Sequence, residues 1–109
     1  MQVTEAQWSK PEKDISRSAF DRAYQREIDS LIKDVTERAT QISEVNDIWQ
    51  LHDFLSARRH EIDGKYDYRY SNLIFVFAQL VREKWLDLTE LQGLEADKLA
   101  KISALVRMG

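Results

Sequence analysis

A chain of 109 residues holds one domain, and its 16 basic against 19 acidic side chains leave a formal net charge of −3, which excludes the broad basic surface that nucleic-acid binding requires. There is no cysteine, hence no disulfide framework, thiolate nucleophile or sulfur-ligated metal, as fits a reducing compartment. Three glycines and one proline are too few turn residues for a β-rich fold.

The opening segment MQVTEAQWSKPEKD is polar and lacks the apolar stretch of a secretory signal. Ser9-Lys10-Pro11-Glu12 reads as a helix start, with Ser9 and Glu12 spaced as a capping box and Pro11 tolerated in the first turn. From there to about Ile42 no helix breaker intervenes. Phe20, Tyr24, Ile28, Leu31, Ile32, Val35, Ala39 and Ile42 fall in one arc of roughly 120° on a helical wheel. The spacing predicts one long amphipathic helix. Its apolar face is either ordinary core or a seam between two chains, since a chain this short buries little surface alone.

Ser43 to Asp47 reads as a break, with Asn46 or Asp47 capping a second helix from Ile48 to about Ile62 and Asp63-Gly64 turning the chain. A third helix is predicted from Lys65 or Tyr66 to Trp85. Its centre, Leu73 to Val81, is apolar nearly all round and reads as a buried central helix, although its longest unbroken apolar run, Leu73 to Ala78, is far too short to span a bilayer. Asp87-Leu88-Thr89-Glu90 resembles a second capping box, opening a short helix that ends at Gly93. A last helix, Glu95 to about Arg107, packs through Leu99, Ile102, Leu105 and Val106 and sets Lys98 and Lys101 one turn apart on what is ordinarily a solvated face. The fold class expected is all-α, a single domain over residues 1–109, with a long helix beside a compact helical head.

The second helix carries the most informative pattern. On a wheel of 3.6 residues per turn, Leu51, Phe54, Leu55 and Ile62 share the buried side, with Ile48 at its edge. Trp49, His52, Asp53, Ser56, Arg59 and His60 share the opposite side. A tryptophan among charged groups on an exposed face has the composition of a protein-binding hot spot. It is equally the composition of a residue packed on a neighbouring helix, with Arg59 holding a carboxylate. Catalysis fares worse. His52 and Asp53 point about 100° apart, which predicts no dyad between them. His52 and His60 lie about 12 Å apart along the axis, too far to share one metal ion. No phosphate loop, nucleophile elbow or zinc-ligand spacing occurs, so neither enzyme activity nor a cofactor or metal is expected.

Three segments carry a resemblance: Ala23 to Glu27, Leu51 to Asp67, and Ile74 to Leu80. They closely resemble the fluorescence recovery proteins of cyanobacteria, and the likeness extends from about Phe20 to Val106. The resemblance implies a helical homodimer without pigment. Its implied partner is the photoactivated, red form of the orange carotenoid protein, engaged mainly through that protein's C-terminal domain. It also implies faster return to the orange form, release from the phycobilisome and an end to non-photochemical quenching. The implied place of action is the cytoplasm, extending to peripheral association with the thylakoid membrane. Trp49, His52, Asp53 and Arg59 match the family's functional patch, Ile48 an apolar dimer-interface position, and Phe75 and Lys101 a second contact on the head. The alternative is a helical adaptor that joins proteins without altering a partner's conformation.

Overall fold

The computed structural model describes residues 7–109; the first six residues of the polar opening segment lie outside them. Helix α1 spans Lys10–Thr40. Its start is the expected capping box, with the Glu12 N–H donating to Ser9 Oγ at 3.2 Å and the Ser9 N–H donating to Glu12 Oε1 at 3.0 Å. The first half of α1 buries one stripe, Glu12, Ser16, Ala19, Phe20, Ala23 and Glu27, at steps of three and four. Beyond Glu27 no α1 residue is fully buried. The expected apolar arc is therefore split: Phe20 enters the core, while Tyr24, Ile32 and Ile42 stay exposed.

Helix α2 spans Val45–Lys65, longer at both ends than the sequence pattern predicts. Its first turn is held by Asp47, whose Oδ2 accepts from the Ser43 and Glu44 N–H groups at 3.0 and 3.2 Å. Asp47 thus lies inside the helix and Glu44 takes the cap. Gly64 is no turn: the helix runs through it, and its φ is not positive. Lys65, the next residue, is buried in ion pairs that hold the last turn in helical form.

The chain then departs from the predicted third helix. Residues 66–72 form a non-helical strap, and α3 is confined to Leu73–Arg82. Tyr66, Tyr68 and Tyr70 alternate with Asp67 and Arg69, and the rings lie on α1. Tyr66 meets Tyr24 and Phe20 edge-on at 5.0 and 5.4 Å between centroids. Tyr68 meets Phe20 at 4.9 Å with the Arg17 guanidinium 4.6 Å above its ring. Tyr70 leans on Trp8 at 5.6 Å. Such aromatic and cation–π contacts reward an extended strap over one more helical turn.

Helix α3 is the buried centre expected, with Leu73, Ile74, Val76, Phe77, Ala78 and Leu80 in the core. A 3₁₀ turn at Leu88–Leu91 stands in place of the short helix, capped by the expected Asp87–Glu90 box, and Gly93 leaves it at φ 108°. Helix α4 spans Ala96–Met108 and packs on α3. The head thus comprises α3, the 3₁₀ turn, α4 and the first half of α1, closed by Trp8. Lys98 is buried and not solvated: its ammonium lies 3.2 Å from Glu12 Oε2 and donates to the Gln7 carbonyl at 2.9 Å. The second half of α1 and most of α2 project from the head as a two-helix arm, and the molecule measures 53 × 25 × 23 Å.

Candidate protein-binding surface on the arm

Arm and head meet in one knot of charge. The Glu27 carboxylate is buried on α1. It accepts from Lys65 Nζ at 2.9 Å, from the Tyr66 hydroxyl at 2.7 Å and from Arg58 Nη2 at 2.9 Å. Lys65 also donates to Glu83 Oε1 at 2.7 Å, just past the end of α3. Burial alone would raise the Glu27 pKa, but these three donors hold it below the ordinary carboxylate value. Burial and the Glu27 carboxylate push the Tyr66 hydroxyl far above an ordinary tyrosine. This cluster is not legible in the sequence, because charged side chains on helices are expected to face water. The signal available was the Tyr-x-Tyr-x-Tyr alternation after Lys65, a period of two inside a predicted helix.

Only Ile62 and Lys65 of α2 are buried. Leu51 and Phe54 are covered for the greater part but not fully, and Leu55, expected inside, is 37% exposed. The inner face of α2 instead runs through Leu51, Phe54, Arg58, Ile62 and Lys65, with the Arg38 guanidinium of α1 stacked 3.7 Å above the Phe54 ring. Two of those five are cations, which is why an apolar wheel misplaces the seam.

The outward side of α2 carries the expected residues. Trp49 is 58% exposed. His52, Asp53 and Arg59 expose 72%, 82% and 85% of their side chains. From Trp49 to Arg59 the patch spans about 15 Å of helix. His52 Nδ1 lies 3.3 Å from Asp53 Oδ1, so these neighbours, expected to be poorly placed to bond each other as a dyad, do come within reach. Exposed side chains are free to lean together across a helix surface, and a contact this long between solvated groups is weak. Arg59 Nε sits 3.6 Å from Asp63 Oδ2, which leaves most of its guanidinium edge open.

Beside the patch, Tyr24, Ile28 and Leu31 of α1 and Leu55, Arg59, Ile62 and Asp63 of α2 line an open groove of about 320 Å³. Ile48, at 46% exposure, continues the uncovered apolar strip. Phe75 and Lys101 lie elsewhere, on α3 and α4 of the head, and both are exposed, Phe75 by 61%. Of the six expected partner-binding residues, four therefore stand on α2 of the arm and two on the head.

Among the described residues, Glu27, Glu61 and Glu83 form an acidic group close enough to surround a cation. The Lys65 ammonium already stands among them, 2.7 Å from Glu27 Oε1, 2.7 Å from Glu83 Oε1 and 4.0 Å from Glu61 Oε1. No helix among the described residues is long and apolar enough to cross a membrane.

A helical arm showing aromatic and charged side chains, carried on a small helical head, is the class that fold and surface define. The chain belongs to the family of photoprotection regulators called fluorescence recovery proteins, whose family model matches residues 8–106. It is 53% identical over 108 residues to the fluorescence recovery protein of Synechocystis sp., covering 99% of each chain. The solved fluorescence recovery protein of Fremyella diplosiphon superposes with a TM-score of 0.90 at 60% identity, covering 93% of this chain and 99% of that one. That of Synechocystis sp. superposes at 0.89 and 54% identity, covering 92% and 98%. The all-helical class and the family expected from the sequence are both borne out, and the family's role is regulation of photoprotection.

Proposed function

We propose that this chain binds the photoactivated, red form of the orange carotenoid protein, mainly through that protein's C-terminal domain. It then accelerates the return to the orange form and release from the phycobilisome, ending non-photochemical quenching. What supports this reading is the outward face of α2, where Trp49 stands 58% exposed beside His52, Asp53 and Arg59. A large aromatic ringed by oriented polar groups is an anchor for another protein's surface. Trp49 supplies apolar area, Arg59 and Asp53 orient the partner, and His52 adds a hydrogen-bonding group. Phe75 and Lys101 on the head form a second contact.

No covalent bond need change, and the reading calls for no cofactor, metal or enzymatic group. A partner whose two domains have separated relaxes slowly because they must find one another. A binder that holds one domain and orients it raises the effective concentration of the other. It accelerates the return only if it stabilises the rate-limiting arrangement more than the open state. The same reading makes the chain a homodimer through Ile48 and the uncovered apolar strip of the arm, because two helices alone cannot bury that strip. It acts in the cytoplasm, at or near the thylakoid surface.

The test is to add the chain in substoichiometric amounts to photoactivated carotenoid protein in the dark and follow absorbance. Faster return to orange, with each chain serving several partner molecules, is expected. Binding without acceleration leaves an adaptor, and no binding removes the proposed partner.

A further inference from the structure

We infer that Glu27 is a positioning residue: the knot it forms with Arg58 and Lys65 fixes the rotation of α2 about its own axis and so the direction in which the Trp49–Arg59 face points. This rests on the reading of that face as the partner-binding surface.

Within one chain, few α2 residues are fully buried. The helix has 21 residues, of which only Ile62 and Lys65 are buried, both near its C-terminal end. Along the arm, Leu51 and Phe54 are covered for the greater part but not fully, with the Arg38 guanidinium stacked on the Phe54 ring. An apolar seam this thin resists sliding and rolling weakly, because dispersion contacts are non-directional and small one by one. Charge-assisted hydrogen bonds between guanidinium or ammonium and carboxylate are directional. At Glu27 two such bonds come from the same helix, Arg58 at 2.9 Å and Lys65 at 2.9 Å, seven residues or about two turns apart. Two anchors on one face, both aimed at one buried carboxylate of α1, define a rotational phase.

Arg58 and Arg59 are neighbours, so their side chains diverge by about 100°. When Arg58 is bound inward to Glu27, Arg59 is turned outward, where its side chain is 85% exposed. Loss of the anion removes the reason to choose Arg58 over Arg59 as the inward residue. The second tie of Lys65, to Glu83 at 2.7 Å, extends the same constraint to the head. The orientation of the arm's surface relative to Phe75 and Lys101 is then set by the knot as well.

The test uses the absence of cysteine. Ala57→Cys on α2 and Ala100→Cys on α4, both exposed, take spin labels whose distance distribution reports the arm against the head. Labelled chain is diluted with unlabelled chain so that only distances within one chain are read. Glu27→Gln is expected to broaden or shift this distribution at a temperature where circular dichroism shows full helicity, and to slow orange-form recovery at least fivefold. Arg58→Met, which leaves the Lys65–Glu27 pair in place and changes a residue whose side chain is 22% exposed, is expected to do the same to a smaller degree, and it decides the matter if Glu27→Gln does not fold. A merely stabilising role lowers the melting temperature and leaves the distance distribution of the folded chain untouched; that result overturns the inference. So does a changed distribution with normal recovery where the Arg59→Leu variant recovers slowly. Arg59→Leu, run alongside, separates the two levels: normal recovery in that variant removes the reading of the surface, whereas the distance data still decide whether Glu27 sets the phase of α2.

Discussion

Glu27 and Glu12 are the two buried carboxylates among the described residues, and Glu27 is the one that ties α1 to α2. It is 1% exposed and accepts from Lys65, Tyr66 and Arg58. Removing one partner of a buried pair leaves the other charge uncompensated, which typically costs about 3–5 kcal/mol. Glu27→Ala is expected to lower the unfolding free energy in urea by about 3 kcal/mol, and a loss under 1 kcal/mol would show that the cluster is hydrated and dispensable. Acid should act through the same groups. Glu90 is held down to about 2 by hydrogen bonds from the Arg26 side chain, the Asp87 N–H and Arg22, against some desolvation. In Glu12 and Glu27 burial is likewise outweighed by hydrogen bonds, so both lie below the ordinary value of 4.5. Carboxylates depressed in the folded state contribute stability that is complete above their unfolded pKa and lost as pH falls toward the folded one. The melting temperature should therefore hold from neutrality to about pH 5 and fall steadily from about pH 4.5 toward 2. Glu90→Gln should flatten part of that fall, and an unchanged acid limb in this variant would count against the Arg26–Glu90 tie.

At the level of elements, what the sequence discloses is what neighbouring residues decide. The Ser9–Glu12 and Asp87–Glu90 boxes close over three residues and stand where the pattern puts them. The outward placement of Trp49, His52, Asp53 and Arg59 follows from helix geometry alone. The Glu27–Lys65 pair joins residues 38 apart and the Glu12–Lys98 pair residues 86 apart. No local rule turns those lysines inward. The strap at 66–72 fails for the same reason, since its tyrosines tolerate a helix and only the facing row of Lys13, Arg17, Phe20 and Tyr24 on α1 selects the extended form. Tyr68→Ala should remove the central rung of this row and cost about 2 kcal/mol; chemical denaturation reading less than 0.5 kcal/mol would mean that the strap is not held by its rings. Gly64 gives the opposite sign. It lies within α2, its φ is ordinary, and an added methyl would meet nothing within 4 Å. Gly64→Ala should stabilise by about 0.5–1 kcal/mol, and destabilisation would show that the chain does need a turn there.

The whole molecule is extended. Its radius of gyration is 16.9 Å, against about 13 Å for a compact domain of this length. The excess is the arm, which leaves Ile32, Ile42, Val45, Ile48 and Leu55 exposed, and the homodimer proposed above would cover apolar surface of this kind. Ile48→Glu should give monomers by light scattering while helicity persists, and a persistent dimer would move the interface away from that position. The role proposed for the outward face of α2 is to drive the carotenoid protein back to its orange form. The most direct measurement is the dark recovery rate of photoactivated carotenoid protein with wild-type chain, Trp49→Leu and Arg59→Leu, each first shown to keep its helicity. Recovery that falls close to the unaided rate in both variants is the result expected. Recovery at the wild-type rate in both contradicts it.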